Sequence, residues 1–214
     1  MKLDTTLYLV TDSSYHTEES FLKTIDAACR GGVTLVQIRE KNRSGREYLY
    51  LTCKVKEITD RYDIPLLVDD RVDIALAAGA AGVHVGQSDL PVCHARAILG
   101  SDKIVGATAK TVAQAKEAYE QGADYLGVGA IYPTTTKVIT VRTEVTTLNE
   151  ICGAVPIPVD AIGGLNRDNL GILEHSPIAG IVVVSAIMKS PDPYRSAAEL
   201  KEAVYGIREN QLKG

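Results

Sequence analysis

A chain of 214 residues with 45% hydrophobic and 23% charged side chains has the balance of a globular protein, which excludes a disordered chain and suits one large core. Its 23 Lys and Arg stand against 27 Asp and Glu, a net charge of -4, so no global basic field recruits nucleic acid and an anionic ligand must be met by local cations. No apolar run reaches the roughly 18 residues of a membrane span, and the start, MKLDTTLYLVTD, lacks an apolar segment behind a basic flank; the expectation is a cytoplasmic protein without a membrane partner.

Short β-branched runs then alternate with amphipathic segments. LYLVT (7–11) is followed by FLKTIDAACRGG, TLVQIR (34–39) by REYLYLTCKVKEITDRY, and PLLVD (65–69) by VDIALAAGA. After GVHVG (82–86) come KIVGAT (103–108) with TVAQAKEAYEQG, YLGVGA (125–130), IPVDAIG (157–163), and IVVVS (181–185) with SAAELKEAVYGIRE. The runs read as parallel strands and the segments between them as crossover helices. Eight strands in this length predict a single-domain (β/α)8 TIM barrel over residues 1–214, with no linker to divide it. Gly82 and Gly122 are expected to stop helices. Cys29, Cys53, Cys93 and Cys152 form no CxxC pair and are expected as buried thiols on helices rather than ligands or disulfides.

In such a barrel the site lies at the C-terminal ends of the strands. QIREK places Gln37, Arg39 and Lys41 on one strand face, and inward cations require anions, from a neighbouring strand, a ligand or both. Asp70 and Asp89 follow adjacent strands, where one Mg²⁺ can touch both and complete its shell with water and phosphate oxygens. Each also stands where an N-cap would, before helices expected at Val72 and Pro91. The loop Thr134, Thr135, Thr136 and Lys137 offers hydroxyls, amides and an ammonium to an anion. AIGG (161–164) and VVVSAI (182–187) match the place where loops seven and eight of these barrels bind a phosphate. His84, inside the fourth strand, reads as a hydrogen-bonded interior histidine or an acid and base. No Ser/His/Asp spacing, GxGxxG fingerprint or Walker loop is present.

Taken together, QIREK, DDRVDIALAAGAAGVHVGQSDLP, GADYLGVGAIYPTTTK, IPVDAIGG and VVVSAI resemble thiamine-phosphate synthase, from about residue 6 to residue 190. The resemblance implies a transferase that joins 4-amino-2-methyl-5-hydroxymethylpyrimidine pyrophosphate to 4-methyl-5-(2-hydroxyethyl)thiazole phosphate or its carboxylated form. Its products would be thiamine phosphate and pyrophosphate, formed by dissociative loss of pyrophosphate. By matching position it implies Asp70 and Asp89 as ligands of one Mg²⁺ per subunit. Gln37, Ile38, Arg39, Glu40, Lys41, Asp69, Thr108 and Lys137 would surround the pyrimidine pyrophosphate, and Thr134, Thr135, Thr136, Gly164, Val184 and Ser185 the thiazole phosphate. Arg39, Lys41 and Lys137 would stabilise the leaving charge. A monomer or small homo-oligomer with small phosphorylated substrates is expected, and residues 131–145 are a candidate lid.

The sequence departs from the family pattern. Asp69 stands where Asn is usual and Thr108 where Ser is usual. VITVRTEVTTLNE after Lys137 lacks the usual Lys-Asp and Gly-Leu, and Asp160 replaces a small apolar residue. Facing inward, Asp160 needs a partner or a raised pKa. Two other readings follow, a thiazole tautomerase-like enzyme and a non-catalytic barrel that binds a phosphorylated ligand. Retention of both aspartates and all three basic residues favours the synthase.

Overall fold

Strands of four to six residues pair in parallel and in chain order, and the first also pairs with the eighth, so the sheet closes on itself. The computed structural model describes residues 3–133 and 142–211. The order is β1 (Leu7–Val10), α1 (Glu18–Arg30), β2 (Leu35–Ile38), α2 (Gly45–Asp60), β3 (Leu66–Asp69), α3 (Val72–Ala77), β4 (Gly82–Val85) and α4 (Val92–Leu99). It continues with β5 (Ile104–Ala109), α5 (Val112–Glu120), β6 (Tyr125–Gly129), α6 (Val145–Ala154), β7 (Val159–Ile162), β8 (Gly180–Val183), α7 (Ser185–Met188) and α8 (Pro193–Gln211). Among the described residues no helix is long and apolar enough to cross a membrane.

All eight expected strands are present as a closed (β/α)8 barrel. Alternation along each strand separates two cores. Leu7, Leu9, Val36, Ile38 and Val68 face outward under the helices, while Tyr8, Val10, Leu35, Leu67, Tyr125 and Val182 fill the interior. Local chemistry starts the helices where loops deliver them. Thr17 accepts from the Ser20 amide, Ser44 and Glu47 form a reciprocal capping box, and Thr111 accepts from the Gln114 amide.

Four details differ from the expectations. The seventh crossover carries only a 3-10 turn, Leu170–Leu173, in a connection punctuated by Gly171 and Pro177. β7 begins at Val159 rather than 157, because Pro158 lacks the N–H a ladder needs. Gly82 opens β4 instead of stopping a helix, and a Cβ there would lie 1.9 Å from the Ile104 carbonyl oxygen, so close strand approach requires glycine. Gly122 does follow α5. The four thiols are free and lie on helices, but only Cys29 is buried, since Cys53 and Cys93 are on solvent faces and Cys152 is half-buried.

Asp160 lies inside the barrel. It is fully buried, two residues before Ile162 on the inward face that reaches the mouth. Its Oδ1 accepts from Thr5 Oγ1 at 2.6 Å, while Oδ2 has no hydrogen-bond partner among the described residues. Burial dominates and raises its pKa to about 8, although Thr5 and the Arg208 charge oppose the shift. The folded carboxyl therefore keeps its proton to about pH 8, whereas an unfolded aspartate releases it near about 3.9. Its contribution to stability is complete below the lower value and is lost as pH rises through the upper one. In urea unfolding, Asp160→Asn should gain on the wild type by up to about 1.4 kcal/mol per pH unit between about pH 5 and 8. A difference independent of pH would show that the buried carboxyl does not hold a proton.

Candidate active site

The C-terminal ends of β2, β3 and β4 bring the charged residues together. Gln37 is the last inward residue of β2 and is buried; Arg39 and Lys41 continue its direction beyond the strand. Asp69 ends β3, where its Oδ2 lies 2.8 Å from Lys41 Nζ and 3.5 Å from Arg39 Nε. Asp70 adopts φ +61°, a left-handed conformation that aspartate tolerates better than most residues. Its amide donates to the His84 carbonyl at 2.9 Å, and its carboxylate accepts from Lys41. One ammonium thus lies between two carboxylates. Burial works against the Lys41 charge, but Asp69 and Asp70 outweigh it and hold its pKa above the ordinary lysine value.

The alternative role, capping, is absent at both aspartates. α3 and α4 have no side-chain cap bond; Asp89 Oδ2 instead accepts from the Gly86 amide at 2.8 Å and closes the loop after β4. Burial, reinforced by the neighbouring Asp70 carboxyl, raises the Asp89 pKa above the ordinary aspartate value. Two neighbouring carboxyls, offering hard oxygen donors only, suit a hard cation.

Beneath the charged rim runs a continuous hydrogen-bonded column. Gln37 Nε2 donates to Asp69 Oδ1 at 2.9 Å and Gln37 Oε1 accepts from Tyr8 Oη at 3.0 Å. The Tyr8 and Tyr125 hydroxyls are 2.8 Å apart. His84 contacts Tyr125 Oη through Nδ1 at 2.8 Å and Thr108 Oγ1 through Nε2 at 2.9 Å. Burial raises the pKa of both tyrosines well above the ordinary value, so both remain hydroxyl groups. Gly106 makes room, since a Cβ there would lie 2.1 Å from the Tyr125 ring.

The column and the rim enclose a cavity of about 170 Å³. Gln37, Arg39, Asp69, His84, Thr108 and Lys110 line one side; Gly163, Gly164, Val184 and Ser185 line the other. Gly164 has φ +64°, and a Cβ there would lie 2.7 Å from Tyr132 Cβ, so both its conformation and its packing require glycine. Of the other residues named from sequence, Ile38 is buried in the outer core, with its carbonyl accepting from Tyr48. Glu40 turns toward Ser13 and Arg43, which donate to its Oε2 at 2.8 Å each. Thr134, Thr135, Thr136 and Lys137 lie outside the described residues, as does most of the candidate lid.

Sequence reasoning missed Tyr8, Tyr125 and Lys110. Two tyrosines at inward strand positions must each find a buried partner for a hydroxyl, and that requirement is a signal that could have found them. Lys110 stands two residues beyond Thr108, on the same face of β5 and its extension.

A family model described as thiamine monophosphate synthase matches residues 7–187. Thiamine-phosphate synthase 2 of Streptococcus pneumoniae is 53% identical over 186 residues, 87% of this chain and 89% of that protein. Thiamine-phosphate synthase of Enterococcus faecalis is 51% identical over 201 residues, 94% of this chain and 92% of its own. Among solved structures, thiamine phosphate pyrophosphorylase from Pyrococcus furiosus superposes with a TM-score of 0.86 at 36% identity, covering 96% of this chain and 98% of that one. A 3-hexulose-6-phosphate synthase, at 19% identity and a TM-score of 0.71 over 92% of this chain and 99% of its own, shares the fold.

Tyr125→Phe deletes the hydroxyl shared by Tyr8 and His84 and removes both of its hydrogen bonds. Urea unfolding should show a loss of about 1–3 kcal/mol. The same change at exposed Tyr119 should stay within about 0.5 kcal/mol. Equal effects at the two positions would mean that the column contributes nothing.

Proposed function

The chain belongs to the thiamine monophosphate synthase family, and we propose that it condenses 4-amino-2-methyl-5-hydroxymethylpyrimidine pyrophosphate with 4-methyl-5-(2-hydroxyethyl)thiazole phosphate, or its carboxylated form. The products would be thiamine phosphate and pyrophosphate, with carbon dioxide also released from the carboxylated form. The observation that carries this reading is the cluster of Asp69, Asp70 and Asp89 with Arg39 and Lys41, on the rim of a cavity whose far wall is the Gly163–Gly164 backbone and Ser185. Carboxylates for a cation and cations for an anion, side by side, suit a pyrophosphate that arrives with a metal ion.

Asp70 and Asp89 would hold one Mg²⁺ per subunit. When bound, the ion supplies positive charge to the oxygens of the departing pyrophosphate. Arg39 and Lys41, joined by Lys137, meet the same developing charge, which binds them more tightly in the transition state than in the ground state. The C–O bond breaks with its electron pair leaving on pyrophosphate. The thiazole nitrogen lone pair then forms the C–N bond to the pyrimidinylmethyl cation. Gln37, Thr108 and the apolar interior would hold the ring and exclude water from that cation. The Gly164 backbone and Ser185 would hold the thiazole phosphate opposite. We place this activity in the cytoplasm, in a monomer or small homo-oligomer acting on small phosphorylated substrates without nucleic acid or membrane.

Purified protein given both substrates and Mg²⁺ should release thiamine phosphate, and EDTA should abolish release. Asp70→Asn and Asp89→Asn should each lower kcat by on the order of 10²–10³. No product from folded protein, despite binding of thiazole phosphate, would contradict the reading.

A further inference from the structure

Each hydrogen bond in the buried column constrains the next. The Asp69 carboxylate, flanked by Lys41 and Arg39, offers only acceptors, so the Gln37 amide must turn its Nε2 toward it. Oε1 then faces Tyr8, and an amide oxygen accepts only, so Tyr8 spends its one proton on it. Tyr125 must donate to Tyr8. With its proton committed, Tyr125 accepts from His84, which requires a proton on Nδ1. In a neutral ring Nε2 is then left to accept from the Thr108 hydroxyl.

We propose that Asp69 is a positioning residue that sets the tautomer of His84, through Gln37, Tyr8 and Tyr125, and so leaves the Thr108 oxygen presenting lone pairs to the cavity. An asparagine at this position, as the family resemblance leads one to expect, offers both donor and acceptor. Gln37 then satisfies either orientation, and the column can run either way. An acceptor at Thr108 matches an N–H donor on the ligand, such as the amino group of an aminopyrimidine. That group becomes a stronger donor as positive charge spreads into the ring. This last consequence rests on the function proposed above; the tautomer does not.

Long-range proton–nitrogen NMR of ¹⁵N-labelled, ligand-free protein at about pH 7.5 reads the tautomer directly. His84 is assigned by the signals lost in His84→Gln. In the wild type Nδ1 should show a protonated shift and Nε2 a bare one. A proton on Nε2, or on both nitrogens, would overturn the proposal. Asp69→Asn should shift part or all of the population to the Nε2-protonated form, and an unchanged tautomer would remove Asp69 from its role. Tyr8→Phe cuts the column without touching the rim charges, so it serves if Asp69→Asn does not fold. It too should yield detectable Nε2-protonated ring, and a ring still wholly protonated on Nδ1 would overturn the relay. Failure of turnover with this tautomer pattern intact would strike the proposed function alone.

Discussion

Lys41 between Asp69 and Asp70 is the interaction on which the mouth of this barrel depends. Parallel pairing brings the ends of β2, β3 and β4 side by side, and neighbouring strands lie only about 4.7–4.9 Å apart. Carboxylates at adjacent strand ends repel in a partly desolvated setting, and an ammonium between two of them converts that repulsion into attraction. The balance remains incomplete. Asp69, Asp70 and Asp89 outnumber Arg39 and Lys41 by one charge, and burial, with the Asp70 carboxyl beside it, raises the Asp89 pKa. Such a rim favours a cation, and once a cation enters it favours an anion.

The layer below holds that rim in place. Asp69 is tied to Gln37, and Gln37 through Tyr8 and Tyr125 to His84 and Thr108, so the floor of the cavity extends across the barrel from β3 to β5. Buried polar networks of this kind are costly if any member goes unpaired. Here they link one polar wall of the cavity to the apolar packing of Val10, Leu67 and Val182. Deeper still, Asp160 carries a proton in place of a countercharge. The interior thus passes from an ionic rim through neutral hydroxyls to a protonated acid.

Much of this was legible in the sequence because strand periodicity is strong and the barrel's rule for its site is geometric. All eight strands, the grouping of Gln37, Arg39, Asp69 and Thr108, and the placing of Gly164 and Ser185 opposite them follow from which residues end which strands. Capping, the alternative role at Asp70 and Asp89, does not form because a local signal competes with tertiary ones: left-handed φ at Asp70 and the Gly86 amide beside Asp89 redirect both carboxyls. Ile38 and Glu40 sit within QIREK yet turn outward, as alternation requires. Tyr8 and Tyr125 were invisible as site residues because each is an ordinary strand aromatic until its hydroxyl must be paired.

The claim that joins these features is that the rim is electrostatically complementary to a cation and an anion together. Calorimetric titration of Mg²⁺ into the whole protein, with and without saturating inorganic pyrophosphate and corrected for their complex in solution, tests it most directly. The account requires mutual tightening, tenfold or more, which is about 1.4 kcal/mol of coupling and equal in both directions. Mg²⁺ affinity that is the same with and without pyrophosphate would contradict it.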